Sequence, residues 1–506
     1  MSYLLPRQAI LGAQVPDAVP AFVNNQFVDP GRATRLPVKY PGTGATVSEV
    51  IETDDDGVDH AVRAARQAFD EGPWPRMTVA ERQTILYRLQ SLMQAANAEL
   101  SQLECLHTGI TQYSLTTRHI PRASYNFQFF AEYINHYAGR LYEQEEGYVT
   151  LVGRTPVGVA ALLGPWNAPI ALCTMKIASC IAFGNTCVFK PSEQTPLSLA
   201  RFCEIVRDAG VPDGVINMVN GRGDVTGTAL VSHPGVDLIS FTGGTRTGEA
   251  IMAAAAKGLR QVSLELGGKS ASIIFDDADI DYAIDGALLG IYNNNGQQCF
   301  AGSRVIVHQS VADHFLERFV ARSKAIRLGD PQDPQTEIGP VASARHRQHI
   351  LSFADIARNE GAEVLTGGQP WAAGGDGYFV EPTAVLVANN ASRLCQEEIF
   401  GPFAAIQTFE DDDEAIAIAN DTRFGLAAHL WTESLERAMR VGANMRAGTV
   451  WTNTPTVRDL RAAFGGFKES GIGREGGQSC LHFYTEERTQ ILPRRRPTLK
   501  RFAPDA

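Results

Sequence analysis

One cysteine of this chain lies in a different setting from the other seven. Cys299 stands in NNNGQQCFAGSR, a glycine-flanked polar segment between a predicted helix and the strand SRVIVH, whereas the remaining cysteines lie in apolar or helical stretches. Polar loops at the ends of regular elements favour reactive thiols over packed ones. A free thiol has a pKa of about 8.5, so a nucleophilic Cys299 requires a base or a positive charge beside it.

Two other polar residues suit a site built around this thiol. Glu265, in VSLELGGK, ends an apolar strand and precedes two glycines, where a carboxylate can act as a base for both the thiol and water. Asn167, in GPWNAPIA, lies between two prolines that restrict the backbone, and its amide can donate to an oxyanion. The alternatives are a structural ion pair for Glu265 and an ordinary turn for Asn167.

A glycine-rich turn indicates a phosphate-binding site. In FTGGTRTG the strand DLISF runs into Gly243, Thr245 and Gly248 at the start of a predicted helix. Glycines there let backbone N–H groups and the helix N-terminus approach a pyrophosphate. A tight strand-to-helix turn explains the same glycines equally well.

The segment VFKPSEQTP places Lys190 and Glu193 just after an apolar strand, at the sheet edge where ligands bind in open α/β folds. A carboxylate there can accept hydrogen bonds from ribose hydroxyls and would repel a 2′-phosphate, which favours NAD over NADP. A helix cap is the alternative. The usual GxGxxG pattern is not matched, because Gly221, Gly223 and Gly227 give GxGxxxG, which we interpret as a turn.

The spacing of apolar residues predicts the helices and strands that must position these residues. Residues 57–71 and 79–106 carry apolar positions three and four apart, which predicts amphipathic helices. From about residue 157, short apolar runs such as VGVAALLG, TCVFK, GVINMV, DLISF and QVSLELG alternate with helical stretches, and a second such alternation begins at SASIIF. This pattern predicts two α/β domains with parallel sheets.

Length and composition agree with an ordinary globular protein. At 506 residues several packed units are expected, and a net charge of −11 argues against nucleic-acid binding, with the run Arg494, Arg495 and Arg496 interpreted as a solvated face or an interface edge. The eight cysteines show no metal or CxxC spacing, so no metal site is predicted. The N-terminus lacks a leader pattern and no apolar stretch is long enough to span a membrane, which predicts a cytoplasmic protein without membrane contact.

Seven motifs in order, GPWNAP, KPSE, FTGGT, ELGGK, GQQC, EEIFGP and FGGFKESGIGRE, resemble the aldehyde dehydrogenase superfamily over nearly the whole chain. The resemblance implies an NAD-binding domain at 1–133 and 155–264, a catalytic domain at 265–478 and a small β oligomerisation arm at 134–154 and 479–506. It further implies a homodimer or homotetramer acting on a small aldehyde.

The same resemblance implies roles for individual residues. Cys299 becomes the nucleophile, Glu265 the base, and Asn167 with the Cys299 backbone N–H the oxyanion hole, while Lys176 and Glu475 resemble a proton-relay pair. The implied cofactor residues are Trp166, Lys190, Glu193, Gly243, Gly244, Glu398 and Phe400. The implied reaction is NAD-dependent oxidation of an aldehyde to a carboxylic acid through a Cys299 thiohemiacetal and thioester.

The VRDLR element resembles a narrower group, the 2-hydroxymuconic and 5-carboxymethyl-2-hydroxymuconic semialdehyde dehydrogenases of aromatic catabolism. Arginines beside an aldehyde pocket suit a substrate carboxylate, and Arg461, Arg122 and, as a third choice, Arg458 are the residues so implied. Alternatively, these arginines pair with Asp459 or other acids. Met175 stands where many relatives have tryptophan, so a neutral aromatic or aliphatic aldehyde is a second possibility.

Two other classes of function use the same residues differently. A cysteine esterase would employ Cys299 and Glu265 without a cofactor, and a structural protein would keep the fold without activity. The cofactor residues Glu193, Glu398 and Phe400 argue against the esterase, and the complete catalytic set argues against the structural protein.

Overall fold

The computed structural model of the protein describes residues 7–28, 33–144 and 147–502. Two short stretches of the predicted arm, at 145–146 and 503–506, and two of the first predicted domain, at 1–6 and 29–32, lie outside the described residues. Along the described chain no helix is both long enough and apolar enough to cross a membrane.

Most strands belong to two large sheets, and the rest form small sheets. In chain order the strands are β1 Arg7–Ile10, β2 Ala13–Pro16, β3 Ala18–Val19, β4 Phe22–Val23, β5 Gln26–Phe27, β6 Arg35–Lys39, β7 Thr46–Ile51, β8 Arg140–Glu143, β9 Tyr148–Pro156, β10 Val159–Leu163, β11 Thr186–Lys190, β12 Ile216–Met218, β13 Leu238–Thr242, β14 Gln261–Glu265, β15 Ala271–Ile274, β16 Arg304–His308, β17 Glu363–Thr366, β18 Thr383–Leu386, β19 Phe403–Phe409, β20 Phe424–Gly425, β21 Ala427–Trp431, β22 Thr449–Thr452, β23 Phe467–Lys468, β24 Gly471–Ile472 and β25 Thr485–Pro493.

The α-helices cover the faces of these sheets. In chain order they are α1 Asp55–Asp70, α2 Val79–Ala95, α3 Asn97–Thr108, α4 Gln112–Ser114, α5 Ile120–Tyr133, α6 Pro169–Ala182, α7 Leu197–Asp208, α8 Thr228–Ser232, α9 Thr245–Ala256, α10 Ile280–Tyr292, α11 Ala312–Ala325, α12 Ala344–Asn359, α13 Arg393–Gln396, α14 Asp412–Asn420, α15 Leu435–Asn444 and α16 Gly477–Tyr484.

The first sheet has the strand order β24-β14-β13-β10-β11-β12-β4-β5, with the strands from β14 to β12 parallel. Its chain order reverses between β10 and β13, so their carboxyl ends flank a topological switch point, where open α/β sheets bind ligands. Along β10, Ala160 and Leu162 enter the core on one face, and Val159, Ala161 and Leu163 enter the core on the other. Burial on both faces explains why this strand is apolar throughout.

The second sheet has the order β17-β18-β19-β16-β15-β21-β22 and is parallel apart from its edge strand β17. A third, antiparallel sheet has the order β25-β9-β8, and β25 is exposed along almost its whole length. The predicted α/β class, with two parallel-containing sheets, is confirmed. The domain boundaries and the role of the small sheet in assembly stay predictions.

One predicted helix differs from the structure. The run 79–106 reads as one amphipathic stretch, but the chain turns at Ala96, whose φ of −89° and ψ of 9° separate α2 from α3. Asn97 donates its side-chain amide to the Thr116 carbonyl at 3.1 Å, a contact with a residue outside the run. The resulting break lets α3 lie along a different direction and bury its polar residues Glu104 and His107.

Gly286→Ala is expected to destabilise the fold. A Cβ at this position of α10 would lie 1.7 Å from the ring of the buried Trp431, and overpacking of this kind costs about 1–3 kcal/mol. On the same helix, a Cβ at Gly290 would meet nothing within 4 Å, so Gly290→Ala is the matched control and gains helix propensity of about 1 kcal/mol. Calorimetry should show a lower Tm for the first variant alone; equal Tm values would contradict the packing of Trp431 on α10.

Candidate active site

Cys299 lies in an irregular segment between α10 and β16. Asn294, Asn295 and Gly296 all have positive φ, which turns the chain sharply and brings Cys299 to the wall of a cavity. It is the one cysteine of the eight that is not fully buried. Burial raises the pKa of its thiol to about 12, with the charges of Glu265 and Glu398 acting in the same direction and Arg458 opposing them. A hydrogen bond from its own backbone N–H to the sulfur favours the thiolate and lowers this pKa.

Glu265 is the last residue of β14 and is 5% exposed. Among the described residues neither of its carboxylate oxygens has a hydrogen-bond partner. Burial raises the pKa of Glu265 well above its ordinary value, and the charge of Glu475 adds to that shift, while Lys176 and Arg458 oppose it. An unpartnered carboxyl of high pKa beside a thiol has the properties of a general base.

Asn167 bridges the two large sheets. It lies between β10 and α6, and its Nδ2 donates to the Gln297 carbonyl at 2.8 Å, while Nδ2 of Asn294 donates to the Asn167 carbonyl at 2.9 Å. These bonds fix the Asn167 amide against the segment that carries Cys299. Its second N–H remains available to an oxyanion formed at a carbon bound to the sulfur.

A buried ion pair lies behind the Glu265 carboxylate. Nζ of Lys176 on α6 donates to Oε1 of Glu475 at 2.8 Å and to Oγ of Ser240 at 3.0 Å. Burial raises the pKa of Glu475, but the charges of Lys176 and Arg458 outweigh it and leave this pKa below its ordinary value. Glu265 and Glu475 therefore favour opposite protonation states: Glu265 is the stronger base, and Glu475 is the carboxyl that keeps its negative charge.

The predicted phosphate-binding turn connects β13 to α9 at the switch point. Gly244 precedes the helix without a side-chain cap, and a Cβ there would meet nothing within 4 Å, so the start of α9 is open to a ligand. Gly243 is tighter, because its Cβ would lie 2.3 Å from the Phe241 ring. Within the described chain, Oγ1 of Thr242 is buried without a hydrogen-bond partner.

Lys190 and Glu193 lie at the carboxyl end of the neighbouring β11. Nζ of Lys190 donates to the Pro191 carbonyl at 3.0 Å and lies 4.0 Å from the Glu193 carboxylate, which is part-exposed. A Cβ at Gly227 would lie 3.7 Å from the Lys190 side chain, so the GxGxxxG turn also borders this position.

Glu398, Phe400 and Trp166 form the opposite wall of the cavity. Oε1 of Glu398 accepts the Gly268 N–H at 2.9 Å, and burial raises the pKa of Glu398 to about 7. Phe400 has a φ of 58° and its ring centre lies 5.3 Å from that of Trp166, edge to face. His346, on α12, donates from Nε2 to the Phe400 carbonyl at 2.7 Å and completes the wall.

One cavity of about 240 Å³ thus brings together residues from both sheets. Its lining includes Trp166, Asn167, Gly243, Gly244, Glu265, Cys299, Glu398 and Phe400, all predicted from the sequence, and also His346 and His349. The two histidines were missed, and their spacing of three residues on one helix face is the only local signal for them. Met175 lies away from the cavity in the core.

The three predicted arginines are placed differently. Arg458 is 10% exposed, packs on the Phe464 ring at 4.3 Å and has Nη2 3.7 Å from Glu475. Arg122, on α5, lies near Arg458, and burial lowers the pKa of Arg122 to about 10. In the part of the chain described, Nε of each is buried without a partner. Arg461 is 80% exposed and its guanidinium forks the Asp459 carboxylate, the pairing named above as the alternative.

An aromatic cluster borders the other side of Cys299. Phe300 lies 5.7 Å from Trp451 and 6.4 Å from Phe464, ring centre to ring centre, and sequence inspection did not single out these rings. No group of three or more potential metal-ligating side chains occurs in residues 7–28, 33–144 and 147–502.

Comparison with known proteins adds family relationships. A model of the aldehyde dehydrogenase family matches residues 27–490. The chain is 43% identical to a 2-hydroxymuconic semialdehyde dehydrogenase of Pseudomonas sp. (strain CF600) over 92% of this chain and 97% of the relative. It is 40% identical to a betaine aldehyde dehydrogenase of Mesorhizobium japonicum over 92% of this chain and 95% of the relative.

Among solved structures, the NAD⁺ complex of an aldehyde dehydrogenase from Bacillus cereus superposes with a TM-score of 0.92 at 37% identity. The match covers 94% of this chain and 96% of that chain. Both the sequence motifs and the three-dimensional arrangement are therefore shared with one family.

Arg458→Gln is expected to slow alkylation of Cys299 by iodoacetamide at pH 8. The Arg458 charge opposes the rise in the pKa of this thiol, so its removal raises that pKa and reduces the thiolate fraction. Arg461→Gln, in the same loop but exposed, is the matched control and should leave the rate unchanged. Mass spectrometry of the Cys299 peptide measures both rates, and an equal effect of the two substitutions would contradict the described placement.

Proposed function

The chain belongs to the aldehyde dehydrogenase family, and from that premise we propose that it oxidises an aldehyde to a carboxylic acid with NAD, using Cys299 as nucleophile and Glu265 as base. The observation that carries the proposal is the single cavity in which Cys299, Glu265 and Asn167 meet the open N-terminus of α9. A cytoplasmic location, and assembly as a homodimer or homotetramer through the β25-β9-β8 sheet, stay predictions.

The residues at the switch point fit a dinucleotide. The uncapped N-terminus of α9 offers backbone N–H groups to a pyrophosphate, and Glu193 beside Lys190 offers a carboxylate to ribose hydroxyls. Glu398 and Phe400 would hold the nicotinamide end next to Cys299. NAD bound in this way supplies the hydride acceptor.

The chain's own groups then carry the acyl chemistry. The Cys299 thiolate attacks the aldehyde carbon, and the Asn167 amide and the Cys299 backbone N–H donate to the oxyanion of the thiohemiacetal. Loss of hydride from that carbon leaves a thioester on Cys299. Glu265 removes a proton from water, the hydroxide attacks the thioester, and the carboxylate product leaves with the thiolate restored.

The proton that Glu265 takes up needs an outlet, and Glu475 is the neighbouring carboxylate. Glu475 stays ionised because Lys176 and Arg458 stabilise its charge. Transfer of that proton from Glu265 to Glu475 runs against the difference between their pKa values, so Glu475, hydrogen-bonded to Lys176, serves as a transient acceptor. Release of the proton to solvent then returns Glu265 to its basic form before the next turnover.

For the substrate, we propose a semialdehyde that carries a carboxylate. Arg122 lies near Arg458 and Cys299, and both arginines have a buried Nε without a hydrogen-bond partner in the described chain, although Arg458 also forms an ion pair with Glu475. Buried polar groups without hydrogen bonds are costly. A substrate carboxylate would satisfy both. The exposed Arg461 would contribute a further positive charge to carboxylate binding if its ion pair with Asp459 opened. A neutral aromatic aldehyde is the second candidate, supported by the Phe300, Trp451 and Phe464 rings.

Glu265→Gln should trap the enzyme after the first half-reaction. Absorbance at 340 nm with NAD and an aldehyde should show about one equivalent of NADH per site, followed by a steady rate lower by about 100-fold, since the water lacks its base. Because the pKa of Glu265 is raised, the wild-type rate should increase with pH, and that increase should be lost in the variant. Cys299→Ala should form no NADH, and a steady rate near wild type in Glu265→Gln would contradict the assignment.

Removal of a positive charge should separate the two substrate classes. Arg122→Gln and Arg458→Gln should each raise KM for 2-hydroxymuconic semialdehyde about tenfold or more, the loss expected for one charged hydrogen bond, and leave KM for benzaldehyde nearly unchanged. Arg461→Ala should show the same selectivity with a smaller effect. Equal losses on both aldehydes would contradict an anion site and favour the neutral substrate.

A further inference from the structure

A buried carboxylate outside the cavity is hydrogen-bonded to the first turns of α6 and α7. These two helices follow Asn167, the predicted oxyanion donor, and Glu193, the predicted ribose ligand. Glu104, on α3, is 0% exposed. Its Oε1 accepts the N–H of Ile170 at 3.1 Å, in the first turn of α6, and its Oε2 accepts the hydroxyl of Ser198, in the first turn of α7. One carboxylate thus lies at the N-terminal ends of two helices, where negative charge is stabilised.

His107, one turn along α3, completes this arrangement. Its Nδ1 accepts the backbone N–H of Leu197 at 3.1 Å, so the ring proton lies on Nε2, which donates to Oε2 of Glu104 at 3.2 Å. His107 is 1% exposed. Together the two side chains satisfy one helix N–H each, at Ile170 and Leu197, that has no partner inside its own helix.

These helix ends adjoin the site. Ile170 follows Asn167 by three residues, and α6 also carries Lys176. Leu197 follows Glu193 by four residues, so α7 begins where the Lys190–Glu193 turn ends. A displacement of either helix start would therefore move the Asn167 amide or the ribose-binding pair.

The far end of α3 supports the other side of Asn167. Gly109 packs against Pro340, with a Cβ placed 2.6 Å from the Pro340 carbonyl. That carbonyl accepts Nδ2 of Asn295 at 2.6 Å, and the adjoining Gln297 carbonyl accepts Nδ2 of Asn167 at 2.8 Å. The residue that caps α3 is thus linked through Pro340 to the segment that carries Gln297.

We propose that Glu104, held by His107, is a positioning residue that aligns the Asn167 amide with Cys299 through the start of α6 and fixes Lys190 and Glu193 through the start of α7. The inference rests on the proposed function, since it assigns Asn167 to the oxyanion and Lys190 and Glu193 to NAD. Its two predicted effects, on acylation of Cys299 and on NAD binding, are independent of each other. Both can be measured without aldehyde oxidation.

The test is Glu104→Gln in the full-length protein. The amide keeps the size of the side chain, but in either orientation its NH2 group faces a donor, the Ile170 N–H or the His107 Nε2–H, and one of these hydrogen bonds is lost. We expect the burst of p-nitrophenolate from p-nitrophenyl acetate, which reports acylation of Cys299 without NAD, to slow at least about tenfold, since a misplacement near 1 Å costs up to about 100-fold. Calorimetric titration should show the Kd for NAD raised severalfold.

A double-mutant cycle separates positioning from general damage. In an Asn167→Ala background, Glu104→Gln should reduce acylation by less than about twofold, because the donor it aligns is already gone, yet should still weaken NAD binding. Asp277→Asn is the matched control: Asp277 likewise accepts a helix-start N–H, from Ser434 at 3.0 Å, but in the second sheet. This control should lower Tm and leave acylation and NAD affinity unchanged.

A second pair of variants covers failure of Glu104→Gln to fold. His107→Gln can accept from Leu197 and donate to Glu104, and should retain acylation within about threefold, whereas His107→Leu can do neither and should lose it. Additive effects in the cycle, unaltered acylation and NAD binding in Glu104→Gln, or equal behaviour of the two His107 variants would overturn the inference. Absence of NADH from wild type with intact acylation would instead refute the dehydrogenase function.

Discussion

The hydrogen bond from Asn167 to the Gln297 carbonyl, 2.8 Å long and spanning 130 positions of the chain, is the contact on which the site depends. Asn167 comes from the carboxyl end of β10 in the first sheet, and Gln297 from the segment before β16 in the second. The bond therefore fixes the nucleophile of one sheet against the amide donor of the other. Oxyanion stabilisation requires donors placed before the charge develops, and a rigid bond between sheets provides that.

The charges of the residues around this bond are set by burial and by which side chains are paired. Glu265 and Glu475 lie close together among Lys176, Arg458 and Arg122, and burial alone would favour the neutral form of each carboxyl. The cations are not shared equally, however. Glu475 is hydrogen-bonded to Lys176 and stays ionised, whereas Glu265 has no partner among the described residues and holds its proton strongly. The difference in partners gives two identical side chains different duties.

Arg458 connects this electrostatic network to the substrate pocket. Its stacking on Phe464 and its ion pair with Glu475 place one guanidinium between the aromatic wall and the proton relay. The same cation lowers the pKa of Cys299 and of Glu265. A single side chain thus influences the nucleophile, the base and the site proposed for the substrate carboxylate, whereas Arg461 three residues later faces solvent.

The sequence by itself determined the local features of this protein. The short, mostly apolar runs at β10, β11 and β13, alternating with helical stretches, predicted parallel sheets. The polar, glycine-flanked setting of Cys299 separated it from seven packed cysteines, because this signal resides within about ten neighbouring residues. The order of the motifs indicated the family. Periodicity could not locate the break at Ala96, since both halves of the run remain amphipathic and the turn depends on what α3 packs against.

Tertiary structure alone decided which charged residues meet. Lys176 and Glu475 are 299 positions apart, and no spacing rule links them, although the family resemblance paired them. The contacts of Glu104 with Ile170 and Ser198 had no signal in the sequence. Resemblance ranked Arg461 above Arg458, but the two differ by three positions in one loop, and only the packing of Phe464 and the position of Glu475 decide which one is buried. Local sequence determines the chemical groups that are present, whereas burial and long-range contacts determine the protonation state of each group and the residues that it contacts.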